Sequence, residues 1–429
     1  MKPSSLRAAF YLLRYMVKWL LLASAVGVMA GSASALLLFS LDWATATRVS
    51  HRWLLWLLPL AGFAVGWLYL RCGRDVEAGN NLLIDAIHSP RQAIPLRMAP
   101  LILIGTFVSH LFGASVGREG TAVQMGGALA DQLTRLFRLQ DGDRRIILMA
   151  GISAGFASVF GTPLAGALFG LEVLAIGILG YEAIFACVVA AIVADQVGLL
   201  WGAHHVHYAA GAIPAMSLGG FGATILAGAL FGLAARFFAL ATHRLGGWIR
   251  QRIAYPPARP LLGGIVVAAC AMLFGADRYL GLGIPAIVDA FHHPAPSWDF
   301  AAKAAFTIAS LGSGFKGGEV TPLFYIGATL GNALAPLLHM PLGLMAGLGF
   351  VAVFAGAANT PVASTIMAIE MFGAEIGVYA ALACVVSYLF SGTSGIYRSQ
   401  RSGNGKYGAV PALPDAAPDA TRVPPQNHG

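Results

Sequence analysis

Charge is scarce in this chain. Lysine and arginine number 27 and aspartate and glutamate 19 among 429 residues, so 11% of side chains are charged, against roughly 25% in soluble proteins. Hydrophobic residues make up 57% and mean hydropathy is +0.72. No soluble surface can be built from that composition. It excludes an ordinary cytosolic enzyme, a nucleic-acid module and a disordered scaffold, despite a net charge of +8 that would suit an acidic polymer. Cysteine is equally sparse. Cys72, Cys187, Cys270 and Cys384 lie far apart with no CxxC spacing, which leaves no disulfide framework and no thiolate metal site. HExxH is absent, and no nucleophile sits beside a base. The chain is not expected to be an enzyme or to hold a cofactor, and the bilayer must be its solvent.

Apolar runs are plentiful, at about 11–41, 53–70, 99–116, 146–178, 183–202, 217–242, 261–277, 301–314, 322–338, 342–358 and 361–391. The first is far too long for the ~7–15-residue core of a signal peptide and reads as a membrane helix. Lys2, Arg7, Arg14 and Lys18 precede or open it, and Arg398, Arg401, Lys406 and Arg422 end the chain. Both termini are therefore expected in the cytoplasm. Several runs fall short of the ~20 residues of a straight crossing. Broken by some of the 53 glycines and 22 prolines, they read as interrupted or re-entrant helices, which are tolerated only inside protein or beside a wet cavity. Residues 401–429, rich in Gly, Pro and Asp, read as a disordered cytoplasmic tail.

Three strings recur in order. Gly79-Asn-Asn-Leu-Leu-Ile-Asp85 lies over Gly283-Ile-Pro-Ala-Ile-Val-Asp289 at an offset of 204, Gly117-Arg-Glu119-Gly-Thr121 over Gly317-Gly-Glu319-Val-Thr321 at 200, and Thr162-Pro163 with Glu172 over Thr360-Pro361 with Glu370 at 198. A near-constant shift at interrupted segments points to two halves on one plan, with a transport site between them. The PPARP stretch at Pro256–Pro260 reads as the linker, giving a first repeat over 1–255 and a second over 256–400, with 10–400 forming one membrane domain.

Chemistry concentrates at two of these places. Gly117, Arg118, Glu119 and Gly120 lead into a small-residue helix whose start, with free N–H groups and a positive dipole end, favours an anion. Glu119 is a tethered anion that competes with a diffusing one. The alternative is that Arg118 and Glu119 form an interfacial cap. The segment from Gly312 to Phe324 repeats the design, with Thr321 as a cap and Pro322 in the first helical turn. Glu319 there either lines the pore or pairs with Lys316. Asn80 and Asn81 open another helix, as anion donors or as plain caps, and Tyr397 offers a hydroxyl. His110 either relays protons or satisfies a neighbouring carbonyl. His204, His205, His207, His292 and His293 lack acidic partners and read as exposed loop histidines, so no metal site is expected. Glu172 and Glu370 suit a cytoplasmic or interface position better than a pore.

The strings GNNL, GREGTAVQ, TPLAGALFGLE, GFKGGEVTPLFYIGATLGN and IYRSQ resemble the CLC chloride channel and transporter family over about residues 10–400. They are most similar to its fluoride-exporting branch. Chloride-type members carry GSGIP where this chain has Gly79-Asn80-Asn81-Leu82-Leu83, and a GIFAP-like segment where it has Gly317-Gly318-Glu319-Val320-Thr321-Pro322. The resemblance implies an all-α polytopic membrane protein of two inverted-topology repeats with broken and re-entrant helices. It further implies a homodimer in a bacterial inner membrane with lipid around it and no nucleic-acid partner. Fluoride and protons are the implied cargo, and a chloride channel or chloride/proton exchanger of the same family is the alternative. On the same grounds Glu119 matches the gating glutamate, Asn80 the central anion position, Tyr397 the central tyrosine, and Val320 with Thr321 the second-half lining. Gly117, Arg118 and Gly120 flank the gate. No counterpart of the inner proton glutamate is found, since Asp195 is displaced and reads as a loop cap; Glu319 is the candidate.

Overall fold

The computed structural model describes residues 3–89, 93–206, 208–402 and 406. Apart from residues 401, 402 and 406, the expected tail lies outside the described residues. The apolar runs become helices, cut where Gly and Pro intervene. The first eight are α1 (Pro3–Ser50), α2 (Leu58–Cys72), α3 (Asn80–His88), α4 (Met98–Phe112), α5 (Glu119–Leu136), α6 (Asp141–Phe160), α7 (Pro163–Glu172) and α8 (Ile184–Leu200). A second eight follow as α9 (Leu218–Arg252), α10 (Ala258–Phe274), α11 (Ile284–His292), α12 (Asp299–Ser313), α13 (Val320–Leu338), α14 (Leu342–Ala358), α15 (Pro361–Phe372) and α16 (Gly377–Phe390). The run expected at 146–178 splits at Gly161-Thr162-Pro163, where proline suits a helix start but not a helix interior.

Packing repeats with a shift of eight helices. α1 packs on α4, α5, α6 and α8, while α9 packs on α12, α13, α14 and α16. That correspondence makes α9 the counterpart of α1, so we place the division in the connection 201–217 instead of at 255/256. Pro256–Pro260 joins α9 to α10 and opens α10, whose first-turn amides need no intrahelical partner and so admit proline.

The two sets are related by inversion. Glu172, at the end of α7, accepts from the backbone N–H groups of Val362 (3.1 Å) and Ala363 (2.8 Å) at the start of α15. Glu370, near the end of α15, accepts from Leu164 (2.9 Å) and Ala165 (2.8 Å) at the start of α7. Each carboxylate thus caps the positive end of the other helix, which requires α7 and α15 to run antiparallel about a local two-fold axis. An axis that reverses membrane helices lies in the membrane plane.

Close contact within each set depends on missing side chains. A Cβ on Gly327 of α13 would stand 2.0 Å from the carbonyl oxygen of Gly349 in α14, and one on Gly126 of α5 would stand 2.3 Å from that of Gly151 in α6. The backbones touch there, as small residues allow between membrane helices. Aromatic rings fill the seam between the sets. Phe156 stacks on Phe169 at 4.2 Å, Phe324 on Phe350 at 3.9 Å, and Phe160–Phe324 (5.2 Å) and Phe156–Phe354 (5.9 Å) cross from one set to the other. Among the described residues five helical stretches are long and apolar enough to cross a membrane: Phe10–Ser50, Arg52–Cys72, Tyr181–Leu200, Leu218–Arg252 and Val320–Leu338. A two-stranded parallel ribbon, β1 (Ala175–Ile176) with β2 (Arg401–Ser402), ties the C-terminal segment to the end of α7.

Candidate functional site

Three helix starts, those of α3, α5 and α13, meet in the interior. Each leaves first-turn N–H groups without an intrahelical acceptor. Gly117 and Gly318, just before α5 and α13, exchange both backbone bonds, Gly117 N–H to the Gly318 carbonyl at 2.6 Å and the reverse at 2.8 Å. The Gly117 amide is therefore spent on this bridge and is not an ion donor, contrary to expectation. Its role is to let two backbones cross. A Cβ on Gly318 would lie 2.7 Å from the Gly120 nitrogen.

Glu119 is 1% exposed and Arg118 9%, so the interfacial-cap alternative fails. The Glu119 carboxylate reaches into the second set. Its Oε2 accepts from the Thr321 N–H at 3.0 Å and the Arg118 N–H at 3.1 Å, its Oε1 accepts from the Thr321 hydroxyl, and the Arg118 Nε stands 3.7 Å away. Thr321 does not cap α13. That helix begins at Val320, whose side chain is buried, and the Thr321 hydroxyl serves Glu119. A carboxylate surrounded by N–H and O–H donors occupies the kind of place a small anion takes.

Below this point the donors change. Asn80 opens α3 after Gly79 at φ +60°, and its buried Oδ1 has no hydrogen-bond partner among the described residues, so the plain-cap alternative also fails. A Cβ on Gly120 would lie 3.0 Å from the Asn80 Nδ2 and 3.9 Å from the Glu319 Oε2, which places amide and second carboxylate together across one glycine. Glu319 makes no ion pair with Lys316, whose ammonium instead lies 4.0 Å from the centre of the Tyr69 ring. Asn80, Glu319, Lys316 and Tyr397 line a cavity of ≈ 530 Å³, with Arg250 and Arg398 at its margin. Tyr397 is 5% exposed, and its ring meets Phe169 at 6.4 Å.

Residues that sequence reasoning missed hold Tyr397 in place. Gln400 donates to the Val173 carbonyl at 2.9 Å and the Ala358 carbonyl at 2.8 Å while accepting from Asn359 at 2.9 Å. Asn81, read as a helix opener, accepts from the Ser399 N–H at 3.0 Å. These contacts join the first set, the second set and the tyrosine segment. Ser399 and Gln400 showed only within the quoted IYRSQ string, and Asn81 within GNNL.

On the opposite face of Glu119 a cleft of ≈ 20 Å³ is bounded by Arg118, Thr321, Phe324, Tyr208, Val206 and His205, among others. His205 is half-buried there, with its Nδ1 3.2 Å from the Val159 carbonyl, and so is not an exposed loop residue. His207 lies outside the described residues. Among the described residues no group of three or more His, Cys, Asp or Glu side chains is placed to hold a metal. His110 is fully buried with its Nδ1 2.8 Å from the Thr106 carbonyl. Asp195 lies within α8 and bonds to Gln196, so it caps no loop.

Comparisons with known proteins agree with this architecture. A family model described as "Voltage gated chloride channel" matches residues 61–392. A "Chloride/fluoride channel protein" of Pseudomonas syringae pv. tomato is 62% identical over 402 residues, covering 92% of this chain and 89% of that protein. The "H(+)/Cl(-) exchange transporter ClcA" of Cronobacter sakazakii is 27% identical over 82% of this chain and 81% of its own length. Among solved structures, a crystal structure of a CLC-type fluoride/proton antiporter superposes with a TM-score of 0.88 at 33% identity, covering 90% of this chain and 98% of that one. A slow cyanobacterial Cl-/H+ antiporter, at TM-score 0.78 and 20% identity over 88% of this chain and 96% of its own, shares the fold. With converging helix starts, inverted helix sets and a family match over most of its length, the chain belongs to the CLC family of multi-pass membrane channels and transporters.

Proposed function

We propose that this chain exchanges fluoride for protons, exporting fluoride and so conferring resistance to it. The observation that carries the reading is Glu119 lying on the Thr321 N–H and hydroxyl with Glu319, Asn80 and Tyr397 beneath it. As a carboxylate, Glu119 competes with an anion for these donors. Once protonated it loses its charge and most of its claim on them, so it leaves and the ion enters. One moving group then carries the proton and admits the ion in turn. Glu319, across Gly120, receives protons on the side of the large cavity.

Fluoride is small and strongly hydrated, so its site must replace water with several hydrogen-bond donors while still releasing the ion. Amide, hydroxyl and backbone N–H groups do this without the trap of a full positive charge. Asn80 and Thr321 supply such groups, and Val320, Gly120 and Arg118 frame them. The 62% identical relative named for chloride and fluoride, and the 33% identical fluoride/proton antiporter, support this ion. The 27% identical exchanger supports chloride as the second reading.

Arg250 and Arg252 at the end of α9 mark the cytoplasmic side, so the cavity beside Tyr397 faces inward and the Tyr208 cleft outward. The reading places a homodimer in a bacterial inner membrane with both termini inside. Purified protein in liposomes, followed with fluoride, chloride and pH electrodes, tests it. Fluoride efflux with opposite proton movement and little chloride flux is expected; equal rates for both halides overturn the choice of ion.

A further inference from the structure

Beyond the Glu119 berth, a cavity of ≈ 710 Å³ lies at the far end of α1, lined by Arg48, Leu55, Val206, Asp277, Leu282 and Ile284, among others. Val206 and Ile284 also line the cleft that holds Arg118, Glu119 and Thr321. The two spaces therefore share a wall on the outward side. Arg48 makes no hydrogen bond or ion pair with any described residue, and its Nε is buried without a partner. Asp277 is the carboxylate whose charge acts on it, but Asp277 is bonded to Arg52 at 2.7 Å.

The guanidinium is nevertheless held in a built position. Gly281 (φ +56°) and Gly113 (φ +97°) flank it, and a Cβ would lie 3.3 Å from its Nη2 at the first and 3.4 Å from its Cδ at the second. Behind Gly281 sits Lys303, 0% exposed, which donates to the carbonyls of Tyr279 (3.0 Å) and Gly281 (2.7 Å) and has no carboxylate partner. Lys303 and Arg48 lie within electrostatic reach of each other, so charge on one opposes charge on the other. An anion at the guanidinium relieves that opposition, and Arg presents weakly hydrated, forked N–H donors to it.

We infer that Arg48, with Lys303 behind it, forms a second halide station on the outward side, separate from the Glu119 berth and reached from it past Val206 and Ile284. It holds a small anion after release and gives the path a second occupied position, so that departing ions meet a graded series of sites. As a transport station it rests on the proposed function; as a halide site it does not. Crystals of the protein grown in bromide test the site directly. An anomalous peak within hydrogen-bond reach of the Arg48 guanidinium, retained in Glu119→Gln and lost in Arg48→Gln, is expected. No bromide there, or an elongated lipid or detergent anion in its place, overturns the site. In liposomes, Arg48→Gln raises half-saturating fluoride for flux from the outward face on the order of 10-fold. Arg48→Lys restores it, and the inward face is unchanged. Equal shifts on both faces overturn the station's role in transport. The bromide peak in the unmodified protein is decisive whether or not the variants fold and whichever halide is carried.

Discussion

The starts of α5 and α13 are built on the same plan and do different work. Glu119 and Glu319 are equivalent, as are Thr121 and Thr321, yet only the first glutamate lies in the donor set and only the second threonine serves it. The Thr121 hydroxyl is 2.6 Å from that of Thr106, a bond between neighbouring helices of one set, whereas the Thr321 hydroxyl crosses between sets. Glu319 faces the ≈ 530 Å³ cavity beside Tyr397. Symmetry of the backbone brings two helix starts together about one axis, and divergence of side chains then gives the passage a direction. A fully symmetric pair would offer an ion the same face on both sides.

Breaking that asymmetry gives graded outcomes. Glu119→Gln removes the titratable group from the donor set and is expected to abolish proton movement coupled to fluoride gradients. Proton uptake persisting in that variant would exclude it as carrier. Glu319→Gln leaves the berth intact and takes away the inward acceptor, so proton flux in a pH-electrode assay falls at least tenfold on the general acid–base scale of ~10²–10⁴. An unchanged flux would put the inward proton route elsewhere.

The threonine pair sharpens the comparison. Thr321→Val deletes a hydrogen bond to a charged group, worth about 1.5–3 kcal/mol, and loosens Glu119 by about 10- to 100-fold in equilibrium terms; fluoride half-saturation reads the change. Thr121→Val removes a neutral bond worth about 1 kcal/mol and shifts thermal stability with little effect on half-saturation. Equal transport defects would mean that the two positions are not functionally distinct. The smallest effect tests the part that stayed symmetric. Glu172→Gln and Glu370→Gln each weaken a pair of charge-assisted caps by about 1–2 kcal/mol. The loss of Tm in detergent should be larger for the buried Glu172.

Much of this plan was legible because glycine, proline and glutamate recur at fixed offsets, and local chain geometry forces helix starts there. Helices α3 and α11 fell outside the apolar runs because each is nine residues with a polar side. Pro256–Pro260 looked like a boundary because proline marks linkers and helix starts alike. The partnership of Glu172 with Val362 and Ala363 was hidden because it joins residues about 190 positions apart through packing alone. Lys303 stands in an alanine-rich helical stretch and Arg48 at a helix end. Neither carries a motif, and only the fold reveals that neither is ion-paired to a described carboxylate.

The reciprocal bonds between Gly117 and Gly318 stitch the two inverted halves backbone to backbone at the point of passage. Rocking the halves apart to expose the ion first to one compartment and then to the other would tear both bonds at once. Under the exchange proposed above, what turns is a single rotor about its own carbon–carbon axes, set in a rigid frame. Its tempo would then be limited by proton arrival and torsional hops, not by the slower swing of whole domains.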